Sequence, residues 1–211
     1  MRALVLFSGT GSVEKVLREK YPGIEVVSVD NDGKWNPTHL MSVEAFERTH
    51  KYPVGHFDII WASPPCTEYS RAKTTKPREL PKADRIAKSA LRLISSLRPK
   101  TWFVENPVGM LKDRSFMKPY SKYMNTATYC MYGTPYRKAT NFWTNKVLRT
   151  PLMKCSKETP CANFRELGHH EVSAQKGHSG KLGPGNYRQK GMGVGTNVYP
   201  IPRKLMQALL R

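Results

Sequence analysis

Residues 2 to 7, RALVLF, form a short apolar run of the kind that makes a buried strand, and the SGTGS that follows ends it in a turn. From Ser12 to Lys20, Val13, Val16 and Leu17 fall on one helical face. Further strands are expected over 25–30 (EVVSVD) and 57–62 (FDIIWA), the second running straight into Ser63-Pro64-Pro65-Cys66. Ile86, Ala90, Leu93, Ile94 and Leu97 predict a helix over 84–97, and TWFVE predicts a fourth strand ending at Glu105. Strands alternating with helices imply an α/β fold: a Rossmann-like, doubly wound, mostly parallel sheet covered on both faces.

Beyond Glu105 the pattern loosens. Strands are expected around 127–132 and 142–144, and Ile201, Leu205, Ala208 and Leu209 predict a C-terminal helix with Pro202 in its first turn. Residues 151–187 are rich in Gly, Pro, Lys, His and Ser with little periodicity, and read as a long loop or a small irregular basic lobe. The chain then divides into a domain over 1–150, that lobe, and a segment over 188–211 returning to the domain. At 211 residues it can fill one core and little more.

Charge narrows the partner. Lys and Arg number 35 against 16 Asp and Glu, a formal +19 spread along the chain, which predicts a polyanion such as nucleic acid without separating DNA from RNA. The opening apolar run is too brief for a secretion signal, and no segment approaches the roughly 20 apolar residues that cross a bilayer. A cytoplasmic or nuclear protein, neither secreted nor membrane-bound, is therefore expected. The four cysteines then read as free thiols, a nucleophile or metal ligands rather than a disulfide frame.

Ligands of parallel sheets collect beyond the carboxyl ends of the strands, and four such ends carry chemistry here. Ser8-Gly9-Thr10-Gly11 offers close backbone approach and helix-start amides, although a plain strand-to-helix turn would look the same. Asp30-Asn31-Asp32 ends the second strand 19 residues past Gly11, a separation that suits an acid on a ribose hydroxyl; a solvated turn acid is the alternative. Glu14 stands where a third glycine would complete a dinucleotide fingerprint, which counts against NAD. Cys66 and Glu105 end the next two strands. Singly they read as a buried small hydrophobe and a paired acid; together they offer a nucleophile and an acid in one cleft.

FSGTGS, SVDND, ASPPCTEYS, VENP, YGTPYRKATNFW and GTNVYPIP occur in the order of the signature blocks of cytosine-5 DNA methyltransferases, and the chain resembles that family over most of its length except 151–187. The resemblance implies a class I methyltransferase fold, S-adenosylmethionine as cofactor, and methyl transfer to carbon 5 of a cytosine flipped out of double-stranded DNA. It implies that Cys66 adds to carbon 6 and that Glu105 contacts ring nitrogen 3. The family's usual glutamine and two arginines after Tyr-Gly-x-Pro are replaced by Tyr136, Arg137, Lys138 and Thr140, so a catalytic cation falls to either Arg137 or Lys138. Cofactor contacts are implied for Phe7, Ser8, Gly9, Thr10, Gly11, Asp30, Asn31 and Pro64, and for Asn197 and Val198 in the last block. Substrate contacts are implied for Pro65, Ser70, Arg71, Lys73, Asn106 and Thr140, the basic loop over 67–82 closing on the flipped base.

Relatives of the bacterial type carry a sizeable target-recognition domain between the last two blocks, where this chain has only about 50 residues. A small viral or mobile-element type is implied, whose sequence readout is small, borrowed from a partner or a second copy, or absent. Cys155, Cys161, His169, His170 and His178 lie in that interval, but Cys-x5-Cys is not a standard zinc pair. No metal is assigned, and these are read as loop residues among phosphate-binding lysines such as Lys154, Lys157, Lys176 and Lys181. The competing functions are cytosine-5 methylation of RNA, a related modification at the same carbon, and a non-catalytic nucleic-acid-binding subunit.

Overall fold

The computed structural model describes residues 1–71, 73–74, 76–170 and 200–211. Asn197, Val198, His178, Lys176 and Lys181 lie outside them. Seven strands form one sheet: β1 (Arg2–Leu6), β2 (Glu25–Asp30), β3 (His39–Leu40), β4 (Ile59–Ala62), β5 (Thr101–Pro107), β6 (Met124–Thr128) and β7 (Ala139–Thr144). Their order is β3-β2-β1-β4-β5-β7-β6. The first five are parallel, and β7 runs antiparallel to both β5 and β6. This is the doubly wound, mostly parallel α/β sheet expected.

The apolar runs are continuous because both faces of the sheet are covered. Ala3, Val5, Ile59, Trp61 and Phe103 point to one side, where they meet α1 (Ser12–Lys20) and α5 (Arg203–Leu210). Leu4, Leu6, Ile60, Ala62 and Val104 point to the other, against α2 (Val43–Thr49) and α3 (Leu80–Leu97). The predicted C-terminal helix buries Leu205 and Leu209, and Arg203 pairs with Glu19 of α1 at 2.9 Å.

Three segments depart from expectation. Neither β3 nor α2 was predicted: β3 has two residues, and α2 buries only Val43 and Phe46, too few for a visible period. What starts α2 is a cap, Ser42 Oγ accepting from the Ala45 amide at 3.1 Å. The strand expected over 127–132 is displaced toward the N-terminus as β6, and Tyr129–Tyr132 forms a 3-10 turn instead. The interval after residue 150, read as a loop or irregular lobe, contains α4 (Ala162–Leu167) and buries Leu152, Cys155 and Cys161.

Candidate active site

The strand order reverses between β1 and β4, so the carboxyl ends of β1, β2, β4 and β5 share one rim. On the β1 side Phe7 turns the chain sharply with φ 61°, a left-handed conformation uncommon for a bulky residue, and the Phe7 and Ser8 amides both reach the Val29 carbonyl, at 2.9 and 3.3 Å. Gly9 follows with φ 49°. A Cβ there would meet nothing within 4 Å, so backbone conformation rather than space calls for glycine. The Asp30 carboxylate accepts from the Gly9 amide at 2.8 Å and from the Asp32 amide at 2.9 Å, fastening the two loops together.

Beneath this loop lies Glu14, in the first turn of α1. Burial raises its carboxyl to about 7, opposed by a hydrogen bond from its own backbone and by Arg18, with nearby Asp30 adding to the rise. Its Oε2 is buried with no hydrogen-bond partner among the described residues, 3.9 Å from where a Cβ on Gly11 would stand. The residue that excludes a dinucleotide fingerprint thus leaves an orphaned acceptor beside the loop.

The thiol end is held by contacts between loops. Asn106, fully buried at the end of β5, donates from Nδ2 to the Pro64 carbonyl at 2.8 Å. The Tyr69 amide closes a turn on the Cys66 carbonyl at 3.0 Å, and the Tyr69 carbonyl accepts from the Met110 amide at 2.9 Å. A Cβ on Gly109 would stand 2.4 Å from that Tyr69 carbonyl oxygen, so only glycine lets the chain leaving β5 pack against the Cys66 loop. The Tyr69 hydroxyl donates to Asp84 at 3.0 Å, and Arg114 pairs with the same carboxylate at 2.6 Å.

Electrostatics tie the functional groups together. Burial pushes the Cys66 thiol up, Lys138 pulls it down, and Glu105 pushes it up again. Burial likewise raises the Glu105 carboxyl, opposed first by Lys138 and then by hydrogen bonds to Tyr129 and Ser63. The Tyr129 hydroxyl donates to Glu105 Oε1 at 3.2 Å, and the Lys138 ammonium lies 4.9 Å from the centre of the Tyr129 ring. Arg137 instead is exposed and donates to the Cys155 carbonyl at 3.4 Å. Of the two cations the sequence offers, Lys138 is therefore the one whose charge acts on the thiol.

The basic loop after Cys66 is internally tied. Lys73, an expected substrate contact, pairs with Glu68 at 2.5 Å and is only 18% exposed. Arg78 donates to the carbonyls of Glu68, Ser70 and Lys73 at 2.7, 2.8 and 2.7 Å. Pro65 and Arg71 are exposed, Ser70 is half-buried, and Thr140 is buried on β7 opposite Pro107. Sequence reading missed Tyr129, Ser63, Glu68 and Arg78. Tyr129 fell in an expected strand, and the other three carry no periodic signal. A surface hollow of about 570 Å³ between α2 and α3, lined by Glu47, His50, Arg92 and Leu97, lies near the amino ends of the strands, away from Cys66 and Glu105.

Residues 1–137 match the family model of the C-5 cytosine-specific DNA methylases. The chain is 30% identical over 203 residues to a probable DNA (cytosine-5)-methyltransferase of frog virus 3 (isolate Goorha), covering 87% of this chain and 90% of that protein. Among solved structures it is similar to an E. coli prophage-encoded protein described as a DNA modification methyltransferase, at 19% identity and a TM-score of 0.49, over 68% of this chain and 46% of the other.

Proposed function

The chain belongs to the C-5 cytosine-specific DNA methylase family, and we propose that it transfers a methyl group from S-adenosylmethionine to carbon 5 of a cytosine in double-stranded DNA, with Cys66 as covalent nucleophile. The observation that carries this reading is the meeting of a half-buried thiol, a buried carboxyl and one ammonium group, Cys66, Glu105 and Lys138, at the rim where the Gly9 and Asp30 loops also end.

Carbon 5 of cytosine is a poor nucleophile. Addition of the Cys66 thiolate to carbon 6 forms a sulfur–carbon bond and drives the 5,6 electron pair toward ring nitrogen 3, leaving carbon 5 enamine-like. Glu105, whose burial favours its protonated form, meets the developing charge at that nitrogen with a proton or a strong hydrogen bond. Lys138 favours the thiolate before addition and again when the sulfur–carbon bond breaks after loss of the carbon 5 proton. Reaching the base within a duplex requires flipping, at a cost of a few kcal/mol.

The residues at the β1 and β2 ends fit a cationic nucleoside cofactor. Gly9 brings the backbone close, Asp30 lies at the ribose-binding separation, and the unpartnered Oε2 of Glu14 suits an ammonium or sulfonium group. When bound, S-adenosylmethionine supplies an electrophilic methyl group.

The test is transfer of labelled methyl to duplex DNA, with tRNA and free nucleotides as parallel acceptors, and covalent trapping on a 5-fluorocytosine duplex. DNA labelling and an adduct that both vanish in Cys66→Ala are expected. Preferential labelling of tRNA, or neither transfer nor adduct, would overturn the reading.

A further inference from the structure

Cys130, Cys155, Cys161 and His170 offer four ligand atoms that all lie within 4.8 Å of one another. His170 Nε2 is 3.6 Å from Cys155 Sγ and 3.4 Å from Cys161 Sγ. Zinc bonds of about 2.3 Å to sulfur and 2.0–2.1 Å to nitrogen, at tetrahedral angles, place sulfur and nitrogen about 3.6 Å apart and two sulfurs about 3.8 Å apart. The two sulfur–nitrogen separations match that polyhedron, and the remaining ligand atoms stand within 4.8 Å of each other, close enough to converge on one ion. The geometry points to a structural Cys3His zinc site built from these four residues.

The ligands are placed by separate parts of the fold, two of them by the ends of α4. Cys130 sits in the 3-10 turn that follows β6. Cys155 is fixed alongside β6, its amide donating to Thr128 Oγ1 at 2.7 Å. Cys161 precedes α4 and takes its first backbone bond, from the Arg165 amide, at 2.9 Å. His170 follows α4, its ring 5.5 Å from that of Phe164. The three thiols are 6%, 3% and 3% exposed and form a cluster separate from the two large cores, flanked by Met131 and Phe164. A lone buried cysteine is an ordinary small hydrophobe. Three converging on an imidazole nitrogen form a closed donor set with no side left for water or substrate, which is the mark of a structural rather than a catalytic centre.

The site explains how residues 151–170 can be held in place without a core of their own. α4 has six residues, none of them buried, which is too little apolar surface to dock the segment. A metal joining Cys155, Cys161 and His170 to Cys130 ties that segment to the turn carrying Tyr129, whose hydroxyl contacts Glu105. Arg137, donating to the Cys155 carbonyl, sets a positive charge beside the net negative charge that three thiolates give to bound zinc. Metal uptake expels the thiol protons, so occupancy falls as the medium is acidified.

The test is metal analysis of the full chain purified without chelator from zinc-supplemented cells. About one zinc per chain is expected, retained in Cys66→Ser and lost in Cys155→Ser and in Cys161→Ser. Because those variants can fail to fold, the wild-type chain is also stripped and reloaded with cobalt(II), where intense tetrahedral absorption with thiolate charge transfer is expected. Native protein free of metal with all four thiols open to a disulfide reagent would overturn the proposal. So would a Cys155–Cys161 disulfide in freshly purified protein, or a coloured, iron-loaded site.

Discussion

The hydroxyl of Tyr129 donates to Oε1 of Glu105 across 3.2 Å, both groups buried, so the acid at the end of β5 is tuned by a residue from the turn after β6. That bond stabilises the ionised carboxyl and holds its pKa lower than burial alone would. In Tyr129→Phe the pH at which Glu105 loses its proton should rise. The alkaline limb of the methyl-transfer profile should move up with it, with a stability loss of about 1 kcal/mol. An unmoved limb in a folded variant would show that Glu105 does not set it.

Lys138 lowers the Cys66 thiol and Glu105 raises it. Alkylation of Cys66 by iodoacetamide should therefore need higher pH in Lys138→Met and lower pH in Glu105→Gln, and should be unaffected in Arg137→Met. Methyl transfer should fall on the order of 100-fold in Lys138→Met and far less in Arg137→Met. The reverse ranking would assign the cation to Arg137.

Gly109→Ala places a methyl group 2.4 Å from the Tyr69 carbonyl oxygen. Neither backbone can yield without moving the Cys66 loop, so a loss of about 1–3 kcal/mol is expected. The maximal rate should drop while cofactor affinity, measured by calorimetry, stays near wild type. Cofactor binding weakened as much as the rate would refute this local account.

Burial raises Glu14 from an ordinary 4.5 to about 7. A raised acid binds its proton more tightly in the folded state, so its penalty is absent below pH 4.5, grows between 4.5 and 7, and is complete above 7. Its full size is on the order of 3 kcal/mol. Urea denaturation should find Glu14→Gln more stable than wild type at pH 8 and nearly equal to it at pH 4.5. Its affinity for S-adenosylmethionine should fall. Equal stability at both pH values would contradict a carboxyl whose burial disfavours its charge.

Short-range pattern sufficed for the parallel half of the fold. Apolar runs broken by Gly, Pro or Asp placed β1, β2, β4 and β5, and with them the strand ends where Gly9, Asp30, Cys66 and Glu105 stand. Those features are local, since a strand's period and the residue that ends it are written within a few positions. The elements missed, β3 and α2, are held by two pairings and two buried side chains, and their signal arises only against neighbours already folded.

Which residues face one another was decided by the tertiary structure alone. Adjacent in the chain, Arg137 and Lys138 carry the same charge, yet one turns to the Cys155 carbonyl and the other to Tyr129 and Cys66. Cys130 stands 25 positions before Cys155, too far for any ligand-spacing rule, and only the antiparallel return of β7 along β6 and the docking of Cys155 on Thr128 bring the two together. A sequence encodes period and breakpoints along one dimension; contacts between distant residues depend on how whole elements pack, and that sum is settled only when the chain folds.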